Sequence, residues 1–207
     1  MSFEQLLAEM RACRLCVEAG YDVTPPAVVA GSAQAKIMTI GQAPGITEAE
    51  TGRPFNAGSG QRLFKWLDEA GIEENWFRTS QYMTVVTKCY PGRATGGGGD
   101  RVPSRAEQKL CRPFLDRELA LIAPELIIPI GRLAISLFYP KKLKLTQIIG
   151  TEKQVAGSWV VPLPHSSGAS RWHQIQENRQ LIARAVKLIE GHVQRIYPKE
   201  VGKQRNR

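Results

Sequence analysis

Residues 35–45 read AKIMTIGQAPG. The apolar run from Ala35 to Ile40 stops abruptly at Gly41-Gln42-Ala43-Pro44-Gly45, the pattern of a buried strand that feeds a tight loop. Three more stretches share that character. Tyr82 to Lys88 (YMTVVTK) is rich in β-branched residues, Glu125 to Ile130 (ELIIPI) is apolar, and Val155 to Leu163 reads as a further strand. Helical patterns lie around them. Ser2 to Ala12 is a short amphipathic segment, Gly60 to Ala70 spaces Leu63, Phe64 and Leu67 on one side, and Gly131 opens a helix through Phe138. Ser104 with Glu107 three residues on forms a capping box for a helix to about Ile122, and Trp172 to Val193 is a long amphipathic helix. Strands that alternate with helices predict a three-layer α/β/α fold with a central, mainly parallel, four-stranded sheet. Ligands of such sheets bind beyond the carboxyl ends of the strands. The loops at 41–45, 88–103 and 164–171 all leave there.

The chain has 207 residues, which suits one domain with a substantial core, expected over residues 1–197. The last ten residues, 198–207, carry Lys199, Lys203, Arg205 and Arg207 and read as a disordered basic tail. The net charge of +9 points to a polyanionic partner. Nothing near Met1 reads as a signal peptide, and no stretch approaches the roughly 18 apolar residues of a membrane span. A cytoplasmic, monomeric protein is expected, in a compartment where disulfides are rare. Cys13 and Cys16 form a CxxC pair in a charged segment, whereas Cys89 and Cys111 stand alone. Redox chemistry at the pair, inert buried thiols at the other two, a structural zinc and an iron–sulfur cubane are all compatible with that spacing.

Three loops hold the candidate chemistry. Residues 41–55 (GQAPGITEAETGRPF) follow a strand but lack the GKS/T end of a phosphate-binding Walker loop. Within them, Phe55 reads either as a core anchor or as a stacking platform for a flat ligand. Residues 162–172 (PLPHSSGASRW) set His165 directly after a strand among small residues. A lone histidine is more often structural than catalytic. Ser166, Ser167 and Arg171 nevertheless suit a loop that presses into nucleic acid. The run Gly96 to Gly99, followed by Asp100 and Arg101, reads as a linker or as a flexible loop that brings one carboxylate over a substrate. His173 and His192 receive no role.

Together these segments resemble the iron–sulfur (type 4) branch of the uracil-DNA glycosylase superfamily, over nearly the whole chain except the tail. The resemblance rests on Cys13/Cys16, GQAPG, TGRPF, Thr87-Lys88-Cys89, Cys111-Arg112-Pro113, PIGR and His165-Ser166-Ser167, in that order. It implies a [4Fe–4S] cluster on Cys13, Cys16, Cys89 and Cys111, with a structural role. It also implies DNA as partner, single- or double-stranded, and hydrolysis of the N-glycosidic bond of a flipped-out nucleotide. By position, Phe55 would stack on the base and the amides of Gly41, Ala43 and Gly45 would contact it. Gln42 would help place the attacking water, and His165 would stabilise charge on the leaving base. Ser167 to Arg171 would enter the helix.

Three positions depart from the family pattern. Gln42 replaces a glutamate and cannot act as a base near neutral pH. Val85 stands where an asparagine would read the edge of uracil, and Ala169 replaces a leucine-like wedge. An apolar wall at Val85 fits a base other than uracil, such as hypoxanthine or a hypermodified cytosine. Asp100 is the candidate replacement carboxylate. The same departures fit a DNA-binding sensor without catalysis.

Overall fold

A computed structural model describes residues 2–96, 99–168 and 170–198. The first strand-like run is confirmed as β2 (Ile37–Gly41), after a two-residue β1 (Ala30–Gly31); β3 (Tyr82–Val85), β4 (Leu126–Pro129), β5 (Lys153–Val155) and β6 (Ser158–Val160) follow. The sheet runs β1-β3-β2-β4-β6-β5. Its four central strands are parallel, and an antiparallel strand extends each edge. The expected parallel four-stranded centre is therefore present, inside a six-stranded mixed sheet.

Both edges explain themselves locally. Residues 155–163 form a hairpin and its continuation rather than one strand. Ala156 (φ 47°) and Gly157 (φ 89°) make a two-residue turn in the left-handed region, where right-twisted strands reverse most readily. At the other edge β1 pairs with β3 through Ala30 and Gly31, where a Cβ on Gly31 would lie 1.9 Å from the Gln81 carbonyl oxygen.

Side chains alternate between the two faces, which is why the central strands read as unbroken apolar runs. Ile37, Met83, Leu126 and Ile128 point into one core; Met38, Ile40, Tyr82 and Ile127 point into the other. The first core is closed by α4 (Gly58–Glu69), α5 (Glu74–Ser80) and α9 (Gln176–Ile196), which supply Leu63, Leu67, Phe77, Ile182 and Ile189. The second is closed by α1 (Phe3–Ala12) and α6 (Arg105–Ile122), which supply Leu6, Met10 and Leu115. Leu6, Met10 and Leu115 are at most 1% exposed. The N-terminal helix is thus an integral part of the core.

Shorter helices complete the chain: α2 (Leu15–Glu18), α3 (Ile46–Thr51), α7 (Gly131–Ile135) and α8 (Leu145–Ile148). The first helix ends at Ala12, before the cysteines, so Cys13 caps α1 and Cys16 lies on α2. The expected capping box of Ser104 and Glu107 opens α6. A 3₁₀ turn at Trp172–Gln174 precedes α9, so the last helix begins a turn later than its pattern indicated. Among the described residues no helix is long and apolar enough to cross a membrane. All but the first residue of the basic tail, together with Gly97, Gly98 and Ala169, lie outside the described residues.

Candidate active site

Beyond the carboxyl ends of β2, β3 and β4 lies a cavity lined by Gly41, Gln42, Ala43, Phe55, Val85 and His165, together with Glu48, Ser59 and Ser166. Seven of the residues singled out from the sequence, Ser166 among them, meet there. The sheet register explains the first contact: Gly41 pairs with Val85 across parallel strands. A Cβ on Gly41 would stand 3.1 Å from both Val85 Cγ1 and the Phe55 ring. Glycine at the end of β2 therefore keeps open the space that the valine and the phenylalanine bound.

Phe55 is held in a conformation that non-glycine residues rarely adopt, with φ at 51°. Three contacts stabilise it. Its amide donates to Glu48 Oε1, Arg78 Nη2 donates to its carbonyl at 2.7 Å, and Arg78 Nη1 donates to the Pro54 carbonyl at 2.8 Å. Gly60 completes the arrangement, since a Cβ there would lie 1.8 Å from the Phe55 carbonyl oxygen. The aromatic ring lines the cavity and is 8% exposed, presenting one surface to it.

Glu48 was not legible as a site residue. It is 8% exposed, sits three residues into α3 and accepts from the Gly45 amide at 2.5 Å. Burial pushes its carboxyl above the ordinary range, against the lowering effect of the Gly45 and Phe55 amides. Its spacing from Gly45 is that of a capping box with glycine in place of Ser or Thr, which hid the signal. The carboxylate ties both ends of the 45–55 segment to one point.

His165 follows the bridge between Ile130 and Leu163 that prolongs β4 and β6. Its Nδ1 accepts from the Ser167 amide at 3.1 Å. In the neutral ring the proton must then sit on Nε2, which becomes the donor available to a ligand. Burial pushes the imidazole below its usual pKa, so the neutral form prevails at physiological pH. Gly131 makes room for the ring: with φ at 81°, a Cβ there would lie 2.9 Å from His165 Cδ2. Arg62 steadies the loop by donating from Nη1 to the Ser166 carbonyl at 2.6 Å.

The remaining candidates are not among the residues that line the cavity. Asp100 reaches Gly45, whose absent Cβ would be 3.3 Å from Asp100 Oδ2 and 3.4 Å from Glu48 Oε2. Arg93 and Asp100 pair in an antiparallel bridge within the segment that follows Cys89. Arg101 fastens its far end with two hydrogen bonds to the Glu107 carboxylate, at 2.7 and 2.8 Å. That pairing holds the Glu107 carboxyl down at about 2. Ser167 acts through its amide on His165. Arg171 is exposed at the start of the 3₁₀ turn, outside the residues that line the cavity.

On the other side of β3, Cys13, Cys16, Cys89 and Cys111 line a second cavity with apolar walls that include Met10 and Phe114. None is in a disulfide. Burial and the proximity of the other thiols push Cys16 up to about 11 and Cys89 up to about 12. The Lys88 amide donates to Cys111 Sγ at 3.3 Å. Among the described residues no group of three His, Cys, Asp or Glu side chains is gathered as a single metal ion requires. Four cysteines set around one apolar cavity fit the donor set of a cubane, in which each thiolate takes its own iron.

The family follows from comparison with known sequences. Residues 28–189 match the model of the uracil DNA glycosylase superfamily. The chain belongs to that superfamily. The matched region contains both strand-end loops of the first cavity, as well as Cys89 and Cys111. It is similar to a type-4 uracil-DNA glycosylase of Thermotoga maritima, 29% identical over 167 residues, which is 80% of this chain and 81% of that one. The type-4 uracil-DNA glycosylase of Sulfurisphaera tokodaii is 33% identical over 132 residues, 63% of this chain and 55% of the relative. That of Archaeoglobus fulgidus is 31% identical over 133 residues, 64% of this chain and 61% of the relative.

Proposed function

We propose that the protein is a DNA glycosylase that hydrolyses the N-glycosidic bond of a nucleotide flipped into the cavity at Phe55 and His165, leaving an abasic site. The observation that carries this reading is the convergence of Gly41, Gln42, Ala43, Phe55, Val85 and His165 on one cavity at the strand ends. A flat ring stacks on Phe55, and the backbone of Gly41, Gln42 and Ala43 lies along its edge. Water, placed by Gln42, bonds to C1′ of the sugar as the C1′–N bond breaks. The electron pair leaves with the base, and His165 Nε2–H donates to the base carbonyl on which the charge collects. Asp100 is assigned the proton released by the water, since Gln42 cannot take it. Arg171 and Ser167 belong to the loop that meets the DNA.

Cys13, Cys16, Cys89 and Cys111 would hold a [4Fe–4S] cluster, which would supply a cross-link and not a reactant. These four residues come from the N-terminal helices, the segment after β3 and α6, which such a cross-link would tie together. The domain is assigned to residues 1–197, with the basic tail outside it.

Uracil is the base named for the similar type-4 enzymes, and it is the first substrate to test. Val85 favours a second reading, because its apolar wall offers no hydrogen bond to uracil's edge, and such contacts set discrimination. Oligonucleotides carrying uracil, hypoxanthine, xanthine or modified cytosines, in single and double strands, decide between them by abasic-site formation. Release of any one base supports the glycosylase. Tight DNA binding without release of any base would overturn it in favour of a sensor.

A further inference from the structure

Behind the His165 loop, between α4 and α9, lies a separate cavity of about 340 Å³. Arg62, Lys65, Trp66, Glu69, His173 and Arg179 line it, so three permanent cations face a single carboxylate. Lys65 and Arg179 are exposed, and among the described residues neither forms an ion pair. His173 is only 9% exposed, its ring stands edge-on to Trp66 at 6.2 Å, and its Nδ1 is buried without a partner. Burial, then the charges of Arg62 and Arg179, push this imidazole below its usual pKa. Cations gathered this closely repel one another and are stabilised by an anion among them. One hydrogen bond links the site to the base cavity: Arg62 donates to the carbonyl of Ser166, which lines that cavity.

We infer that this cavity is a subsite for one phosphate of the DNA backbone beside the extruded nucleotide. The inference rests on the glycosylase reading above. Lys65 and Arg179 supply the charge, Arg62 links phosphate position to the His165 loop, and Trp66 with Ile182 forms an apolar floor. A phosphate seated here fixes the strand's register while the base turns into the cavity, which is the usual division of labour between backbone and base contacts.

The test compares Lys65→Gln/Arg179→Gln with Lys141→Gln/Lys142→Gln, a pair of exposed lysines elsewhere with the same charge change. Binding of a fluorescent oligonucleotide carrying the excised base is measured across a salt series. The first variant is expected to bind roughly tenfold more weakly, and its slope of log K against log salt to flatten by about one, as for loss of one phosphate contact. The second should match the wild type. Identical affinities and slopes for the two variants, with the wild type still excising its base, would overturn the subsite alone. A wild type that neither binds nor cleaves DNA would overturn the glycosylase reading and this subsite together.

Discussion

His165 shows how far a single residue can be argued. Its Nδ1 is committed to the Ser167 amide, and burial holds its pKa below the ordinary value of about 6.5. The working form is therefore the neutral ring with a proton on Nε2. Acidification would protonate Nδ1 and set it against the Ser167 N–H, so the ring and its loop would have to part. The saturating excision rate should stay flat from pH 8 down to about 6.5 and fall below it. His165→Ala should lower that rate by about 10²–10³, the worth of one donor at a developing oxyanion. A rate that rises as the pH drops through about 6.5 would identify imidazolium as the active form. The histidine itself was visible in the sequence as a lone His after a strand. Its tautomer was not, because that depends on a backbone amide two residues on and on the space left by Gly131, which only the fold brings alongside.

At the scale of elements, β3 and α6 are joined by a buried polar network. Lys88 and Glu118 form an ion pair at 2.7 Å, with side chains 2% and 0% exposed. Tyr82 and Thr84 hydroxyls both donate to Glu118 Oε1, at 2.8 and 2.9 Å, and Oε2 has the Lys88 ammonium. Lys88 Nζ also donates to the Val85 carbonyl at 2.6 Å, so the wall of the base cavity is fastened through this pair to α6. Removing one charge would strand the other away from water. Glu118→Gln should cost about 3–5 kcal/mol in denaturant unfolding, whereas Glu118→Gln with Lys88→Met should recover part of that loss. Equal losses for the single and double variants would show that the pair's charge does not matter. The strand and the helix were legible separately, from β-branched residues and a capping box. Their coupling was not, since Glu118 carries no motif and meets Lys88 only because α6 crosses the sheet at that height. The hairpin of β5 and β6 was hidden for a different reason. Its turn begins with Ala156, which seldom adopts a positive φ, so no paired Gly or Asn signal marked it.

For the molecule as a whole, the order of strands and helices predicted the parallel centre, and the excess of basic residues pointed to a polyanion. The cavity of Arg62, Lys65, His173 and Arg179 was not readable, because its residues come from helices far apart in sequence and converge only when α4 and α9 pack on the same face. The cysteines show the opposite case. Spacing left several chemistries open, and the fold brings all four to one cavity between α1, α2, α6 and the end of β3. If that cavity holds a cluster, its removal should act on the frame before it acts on the reaction. The core of β2, β3 and β4 is built almost wholly of apolar side chains, with Cys111 among them and Cys89 outside it. Cys89→Ser should therefore abolish visible absorption and iron content while leaving the far-ultraviolet circular dichroism nearly intact. The segment around Cys13 and Cys16 should become sensitive to protease, since α2 has no fully buried residue of its own. Excision should weaken through KM, as the wall at Val85 loses its backing next to Lys88 and Cys89. Wild-type protein prepared without oxygen that is colourless and carries one zinc per chain would overturn the cluster and place a single ion among these thiols instead.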